Sequence, residues 1–215
     1  MIPANEASGN PDAGSKLVFT DAFIRNAHRI LWAGYERLDA AAYYTSEEDE
    51  ITGDLASEMN EVLGNSPEPW MRMYQVHDQH PVTPSGGPKS VRRVGKRRSK
   101  IDLQFVANSG SGVHRFSWEA KRLGPGHAIG AYLGQAGMEC FLSGQYAVDC
   151  DYGGMLGYAQ SEDTASWLDV LTKKLGSAVS NPANQDSSQP RLKSVHARSS
   201  AGRNIVVYHT ILRFN

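Results

Sequence analysis

The chain has 215 residues, of which 40% are hydrophobic and 21% are charged, with a formal net charge of −1. This composition is typical of a globular protein that is long enough for one domain with a full core. No apolar run reaches the roughly 18 residues of a membrane-spanning helix, and the N-terminus lacks a basic and apolar leader. Two cysteines, Cys140 and Cys150, are too few for a disulfide framework or a structural zinc site. We therefore expect a cytoplasmic protein with no membrane contact.

The N-terminal third of the chain predicts a flexible tail and two helices. Residues 1–15 are rich in Gly, Pro, Asn and Ser and are expected to fray. A helix is predicted from an N-cap at Thr20 to about Ala42, because apolar residues recur there at helical spacing. A second helix follows a cap at Ser46, carries acids in its first turn and ends near Asn65.

Strand signals dominate the middle of the chain. Residues Trp70 to Val76 suit a first strand, and residues 78–99 then form a segment rich in Pro, Gly and basic residues. The following stretch predicts a β-hairpin that opens at Ile101, turns at residues 108–112 and ends at Lys121.

The C-terminal half predicts alternating helices and strands. In order, these are a helix from about His127 to Leu142, a buried strand from Gly153 to Ala159, an amphipathic helix from Ser161 to Leu175, a loop at 177–190 and a strand from Asn204 to Phe214. The alternation predicts an α/β fold in which helices flank a central mixed β-sheet. We expect one domain over residues 16–215, with flexible segments near 78–99 and 177–190.

Charge is distributed unevenly along this nearly neutral chain. Residues 47–61 carry seven acids, whereas residues 88–100 carry seven bases in thirteen positions. The bases expected to bind nucleic acid are Arg92, Arg93, Lys96, Arg97, Arg98 and Lys100. Such a cluster can neutralise phosphates, and it leads directly into the hairpin. A solvated loop that keeps the protein soluble is the alternative interpretation.

The hairpin places three charged side chains together. If it turns near its midpoint, Asp102 lies opposite Glu119, with Cβ atoms about 5 Å apart. Because side chains alternate along a strand, Glu119 and Lys121 share one face while Trp118 and Ala120 share the other. The same alternation predicts that Ile101, Leu103 and Phe105 form one apolar face, opposite the face of Asp102.

Asp102, a hairpin and then Glu119-x-Lys121 resemble the motif of the PD-(D/E)xK nuclease superfamily, with Ile101 in the place of the proline. The predicted elements over residues 46–160 follow the order of the restriction-endonuclease-like αβββαβ core, with an added N-terminal helix and C-terminal strand. The resemblance implies a Mg²⁺-dependent endonuclease that hydrolyses DNA, with Mn²⁺ as a substitute. It also implies a role in restriction or anti-phage defence.

Within this resemblance each residue of the motif has an implied role. Asp102, Glu119 and the Ala120 carbonyl would hold the cation, and Lys121 would orient a water or offset phosphate charge. Relatives often add a glutamate from the preceding helix. Glu48 lies about 20° from the centre of the apolar helical stripe, against about 90° for Glu47 and about 150° for Glu50. We therefore assign Glu48 to the catalytic and metal-binding set, with Glu47 and Glu50 as alternatives.

Other interpretations stay open at this point. The chain is alternatively a catalytically inactive nuclease-like subunit for nucleic-acid binding or assembly, or a structure-specific resolvase or RNase. A homodimer and a partner protein of a defence system are both compatible with the sequence. Tyr132 and Gln135 either point toward the site or belong to the core and the surface. His77 and His80 lack an evident third metal ligand.

Overall fold

The computed structural model describes residues 13–82, 99–109, 112–181, 189–198 and 203–215. Its helices are α1 (Ala13–Tyr35), α2 (Glu48–Asn65), α3 (Ile129–Leu133), α4 (Glu139–Leu142) and α5 (Thr164–Leu175). Its strands are β1 (Tyr74–Pro81), β2 (Lys100–Ser109), β3 (Gly112–Leu123), β4 (Tyr152–Ala159), β5 (Val179–Ser180), β6 (Arg191–Ala197) and β7 (Asn204–Arg213).

Within these residues the strands form one seven-stranded sheet in the order β1-β2-β3-β4-β7-β6-β5. Strands β1, β2 and β3 pair antiparallel, whereas β4 lies parallel to both β3 and β7. The sheet is therefore mixed, and helices flank it, as the α/β fold class predicted. The elements from α2 to β4 follow the predicted order of a helix, three strands, a helix and a strand, except that two short helices, α3 and α4, take the place of the second helix.

Two apolar clusters hold helices on the two faces of the sheet. One cluster includes Ile30 of α1, Leu55 of α2 and Trp118 of β3. The other includes Tyr132 of α3 and Leu171 of α5. Because helices cover both faces, the central strand β4 is almost entirely buried.

Helix α1 differs from its prediction at both ends. It already includes Ala13 and ends at Tyr35, whereas the prediction ran from Thr20 to Ala42. Lys16 and Leu17 favour helix and continue it N-terminal to Thr20. Residues 13–15 of the predicted flexible tail are thus helical, and the rest of the tail lies outside the described residues.

Helix α2 and strand β1 are also displaced from their predictions. Glu47, not Ser46, precedes the first residue of α2, and it makes no side-chain cap bond. Strand β1 begins at Tyr74, because Pro69 to Met73 form a 3₁₀ turn, and it continues to Pro81. Proline favours the first turn of a helix, and an edge strand tolerates the polar residues that follow Val76.

The predicted helix from His127 to Leu142 is divided into α3 and α4. The chain turns between them at Gly134 and Gly137. A Cβ at Gly137 would lie 2.3 Å from the Tyr132 carbonyl oxygen, so the turn requires glycine there. The glycines therefore break the helix instead of packing one continuous helix on the sheet.

The C-terminal predictions were largely correct, except that two strands were not predicted. Strand β4, the end of α5 at Gly176 and strand β7 are confirmed, although α5 begins only at Thr164, with Asp163 as its cap. Strand β6 was not predicted, and β5 falls in the predicted loop. Arg191 and Ser194 of β6 are buried polar residues, so the period-two alternation of apolar and polar residues is missing.

Candidate functional site

Asp102 and Glu119 lie at the point where β2 and β3 separate. The pairing of the two strands ends at Leu103 and Trp118, and continuing this register by one residue places Asp102 opposite Glu119, as predicted. Beyond that pair, Asp102 Oδ2 accepts a hydrogen bond of 2.8 Å from the Ala120 backbone nitrogen. The Asp102 carboxylate thus accepts the hydrogen bond that a backbone carbonyl of β2 would accept in a regular antiparallel pair.

The predicted faces of the hairpin are correct on β3 but not throughout β2. Trp118 and Ala120 pack in the cluster with α1 and α2, so Glu119 lies on the opposite face. Leu103 packs in that same cluster, whereas Ile101 packs in the cluster with α3 and α5. The prediction that Ile101 shares a face with Leu103 was wrong, because β2 leaves its regular pairing with β3 at Asp102.

The ammonium of Lys121 lies among the predicted cation ligands. Lys121 Nζ is 2.9 Å from Glu119 Oε1, 2.9 Å from Glu48 Oε1 and 3.9 Å from Asp102 Oδ2. It also donates to the Ala120 carbonyl oxygen at 2.5 Å. The side chain of Lys121 is only 15% exposed, so these contacts lie in a largely enclosed site. We call Glu48, Asp102, Glu119 and Lys121 the acid–lysine cluster.

Glu48 enters the cluster from the first turn of α2. Its Oε2 accepts from the Arg122 backbone nitrogen at 3.2 Å, next to the Lys121 contact. Glu47 points elsewhere and pairs with the Arg122 guanidinium at 2.7 Å, while Glu50 is exposed. Of the three acids, Glu48 is therefore the one in the cluster, as its helical angle predicted.

Buried polar contacts fix the start of α2 against the ends of β3 and β4. The Gln160 side-chain nitrogen donates to the carbonyl oxygens of Tyr43 and Ser46, each at 2.9 Å. The Arg122 guanidinium also reaches the Ser46 carbonyl oxygen at 3.4 Å. These bonds hold the segment before α2, and hence Glu48, at the edge of the site.

Burial shifts the pKa values of the clustered groups. Burial and the nearby Asp102 carboxylate raise the pKa of Glu119 to about 8. Burial also raises the pKa of Glu48 and of Asp102, although Lys121 opposes both shifts. For Lys121, burial lowers the pKa, but the carboxylates of Glu119 and Glu48 outweigh burial and the net shift is upward. The cluster therefore favours a positive charge at its centre.

One oxygen of the cluster receives no hydrogen bond from a described donor, although the Asp102 carboxyl lies beside the Glu119 carboxyl. Glu119 Oε2 is buried and accepts no hydrogen bond among the described residues. A buried carboxylate oxygen without a donor is costly unless a cation or a donor occupies the space beside it. The atoms of this site that could coordinate a metal ion are all oxygens, from three carboxylates and the Ala120 carbonyl. Mg²⁺ prefers such oxygen ligands. The residues therefore fit a hard divalent cation.

The acids do not form a ready-made metal cage. In the part of the chain that the structure describes, no group of three or more His, Cys, Asp or Glu side chains is arranged to hold a metal ion. The Lys121 ammonium lies among the three acids instead. A divalent cation would therefore bind by taking the place of this ammonium.

Several predicted residues lie outside this cluster. Arg92, Arg93, Lys96, Arg97 and Arg98 lie outside the described residues. Lys100 is exposed at the start of β2, immediately before the hairpin residues that lead to Asp102.

The two polar residues considered on the following helix do not reach the cluster. Tyr132 is fully buried, and its hydroxyl contacts His209 Nδ1 at 3.1 Å and the Met155 carbonyl oxygen at 3.3 Å. Gln135 is exposed. His77 and His80 lie 5.7 Å apart between ring centroids on β1 and belong to no metal-binding group among the described residues.

Gln79 belongs beside the cluster and was missed from the sequence. Its side-chain nitrogen lies 3.4 Å from Asp102 Oδ1. The strand was predicted to end at Val76, which placed Gln79 in a loop. No sequence signal marks its position, because nothing in the local residue pattern predicts the backbone conformation that brings it to Asp102.

Comparisons with protein-family models, with curated proteins and with solved structures found no match. No described helix is long and apolar enough to cross a membrane.

Proposed function

We propose that the protein is a metal-dependent endonuclease of the PD-(D/E)xK type that hydrolyses phosphodiester bonds of DNA. The observation that supports this most directly is the set of atoms around Lys121 Nζ. Glu48, Asp102, Glu119 and the Ala120 carbonyl come from α2, β2 and β3, yet all of them approach one point. Burying three acids together is expensive, and a cation-dependent reaction gives a physical reason for it.

The side chains would divide the work in the following way. Asp102, Glu119 and Glu48, with the Ala120 carbonyl, would hold Mg²⁺ or Mn²⁺. A bound cation of this kind polarises a scissile phosphate and lowers the pKa of an adjacent water. Lys121, displaced from the acids but still carrying its charge, would orient the attacking water or offset negative charge on the phosphate. The apolar cluster beneath Trp118 and Ala120 would keep the hairpin rigid.

DNA is the proposed substrate because of the basic segment. Five bases from Arg92 to Arg98 precede the strand that carries Asp102, and a sixth, Lys100, is the first residue of that strand. A chain with a net charge of −1 needs such a local cluster to hold a polyanion near three acids. A role in restriction or anti-phage defence, and a cytoplasmic location, stay predictions of the sequence.

A second candidate function has an observation of its own. Because Lys121 already forms close ion pairs with Glu48 and Glu119, the cluster could serve as a structural ion-pair network in a nuclease-like assembly subunit. Glu119 Oε2 argues against it, because no described donor reaches that oxygen and a purely structural network would be expected to supply one.

The deciding experiment is cleavage of defined nucleic acids by the purified full chain. Supercoiled plasmid, linear duplex, single-stranded DNA and RNA are incubated with Mg²⁺, with Mn²⁺ or with EDTA. We expect metal-dependent nicking or linearisation of plasmid that Glu119→Ala, Asp102→Ala and Lys121→Ala abolish. Glu61→Gln, an exposed acid of α2, is the matched control and should keep full activity. Cleavage at an undiminished rate in excess EDTA would exclude the proposal, and no cleavage under any condition would favour the assembly subunit.

A further inference from the structure

Gln79 joins two of the elements that carry acids. Its side-chain Nε2 lies 3.1 Å from Asp49 Oδ1, in the first turn of α2, and 3.4 Å from Asp102 Oδ1, on β2. Asp49 is the neighbour of Glu48 along the helix. One amide group on the edge strand β1 therefore bridges the helix start to the strand of Asp102.

The backbone of Gln79 is in an unusual conformation. Its φ angle is +47°, and Ala147 is the only other described non-glycine residue with a positive φ. The pairs Asp78↔Leu103 and His80↔Ile101 flank it, yet no pair is formed between Gln79 and Asp102 themselves. A residue with a Cβ is rarely left-handed, and such strain is retained where the surrounding structure enforces it, often at functional sites.

Where the pairing of β1 with β2 is interrupted, both carboxylate oxygens of Asp102 lie near a hydrogen-bond donor. Oδ2 accepts from the Ala120 backbone nitrogen at 2.8 Å, and Oδ1 faces the amide of Gln79. A carboxylate held on both oxygens has one orientation, which a cation-binding acid needs before the cation arrives.

We propose that Gln79 is a positioning residue, which holds Asp102 and the start of α2 in the geometry that binds the divalent cation. This inference rests on the proposed function, because it assigns Gln79 a role toward the same cation. Gln79 acts through Asp102 and Asp49 and need not touch the cation or the DNA.

The test separates positioning from folding by using glycine. Gln79→Gly removes the amide but relieves the left-handed backbone, so the Tm should be no lower than that of the wild type. Gln75→Gly is the matched control, because Gln75 is an exposed glutamine at a regularly paired position of the same strand. Glycine there should lower the Tm by about 2 °C to 4 °C.

In Mn²⁺ binding and DNA cleavage the order of the two variants should be reversed, with Gln79→Gly impaired and Gln75→Gly unaffected. Binding of Mn²⁺ is measured on the full chain without DNA, by electron paramagnetic resonance of the free ion, and plasmid cleavage is measured in parallel. We expect Gln79→Gly to weaken Mn²⁺ binding about tenfold or more and to slow cleavage, while Gln75→Gly matches the wild type in both.

The outcomes distinguish the two levels of the proposal. If the wild type binds Mn²⁺ and cleaves DNA, but Gln79→Gly binds Mn²⁺ as tightly as the wild type does, the role of Gln79 is refuted alone. A fall in the Tm of Gln79→Gly that accounts for its lost binding also refutes positioning. A wild type that neither binds Mn²⁺ nor cleaves overturns both this inference and the proposed function.

Discussion

Lys121 Nζ lies 2.9 Å from Glu48 Oε1, although 73 residues separate the two along the chain. The contact joins the first turn of α2 to strand β3. It also brings the third acid to a cluster whose other two acids come from the hairpin. The ammonium is therefore both the counter-ion of the site and the link between its helix and its sheet.

Loss of this ammonium should destabilise the metal-free protein. Lys121→Met leaves three largely buried acids without their cation, so we expect the free energy of unfolding at pH 8 to fall by about 2–4 kcal/mol. The loss should be smaller at pH 5, where protonation can neutralise the acids. Urea unfolding with EDTA measures both values. Arg37→Met, which breaks an exposed ion pair with Glu58, is the control and should change the stability little. Equal losses at the two pH values would contradict this assignment.

The raised pKa of Glu119 gives the metal-free protein a defined pH dependence. The folded protein keeps a proton on Glu119 up to about pH 8, so it binds that proton more tightly than the unfolded chain does. The contribution of Glu119 to stability is therefore present below its unfolded pKa, near 4.5, and is lost as the pH rises toward 8. Subtracting the unfolding free energies of Glu119→Gln from those of the wild type isolates this contribution. A difference that grows in favour of the wild type between pH 5 and pH 8 would show that the sign is wrong.

The acids of α2 should differ sharply in their effect on turnover. Glu48→Gln keeps the shape of the side chain but removes the charge that contacts Lys121, so we expect at least a tenfold loss in cleavage rate at saturating DNA. Glu50→Gln, one half-turn away on the exposed side, should behave as the wild type. If both variants retain full activity, the site needs only the hairpin acids and Lys121.

The basic segment should determine the salt dependence of DNA binding. Each phosphate neutralised contributes about 0.9 to the slope of log affinity against log salt concentration. Replacing Arg97 and Arg98 with alanine should therefore reduce the slope by about two. Lys173→Ala with Lys174→Ala, a pair of exposed lysines in the last turn of α5, is the matched control. An unchanged slope for the arginine double variant would favour the alternative interpretation, in which the segment is a solvated loop that does not bind DNA.

The hairpin part of the site was predictable because its geometry is local. Period-two alternation placed Glu119 and Lys121 on one face, and the register of a tight hairpin placed Asp102 opposite Glu119. Helical phase selected Glu48 from three neighbouring acids. These inferences need only the repeat of one helix and the turn of one hairpin.

Features that depend on tertiary context were not predictable from the pattern. The left-handed backbone of Gln79 lies where the pairing of β1 with β2 is interrupted and where α2 contacts the side chain, and glutamine itself does not signal it. Strand β6 was missed because its buried Arg191 and Ser194 break the apolar alternation. The division between α3 and α4 follows from a close approach of Gly137 to the Tyr132 carbonyl, which spacing alone does not reveal.

The place of the Lys121 ammonium has a consequence for how the protein matures. Many small metal sites bring like charges together only when the ion arrives, so that folding waits for the metal. Here the chain supplies its own cation, and the sheet and α2 can assemble around Lys121 first. If the proposed divalent ion binds, synthesis and folding would be uncoupled from its supply, and the ion would enter by exchange with the ammonium in an already folded protein.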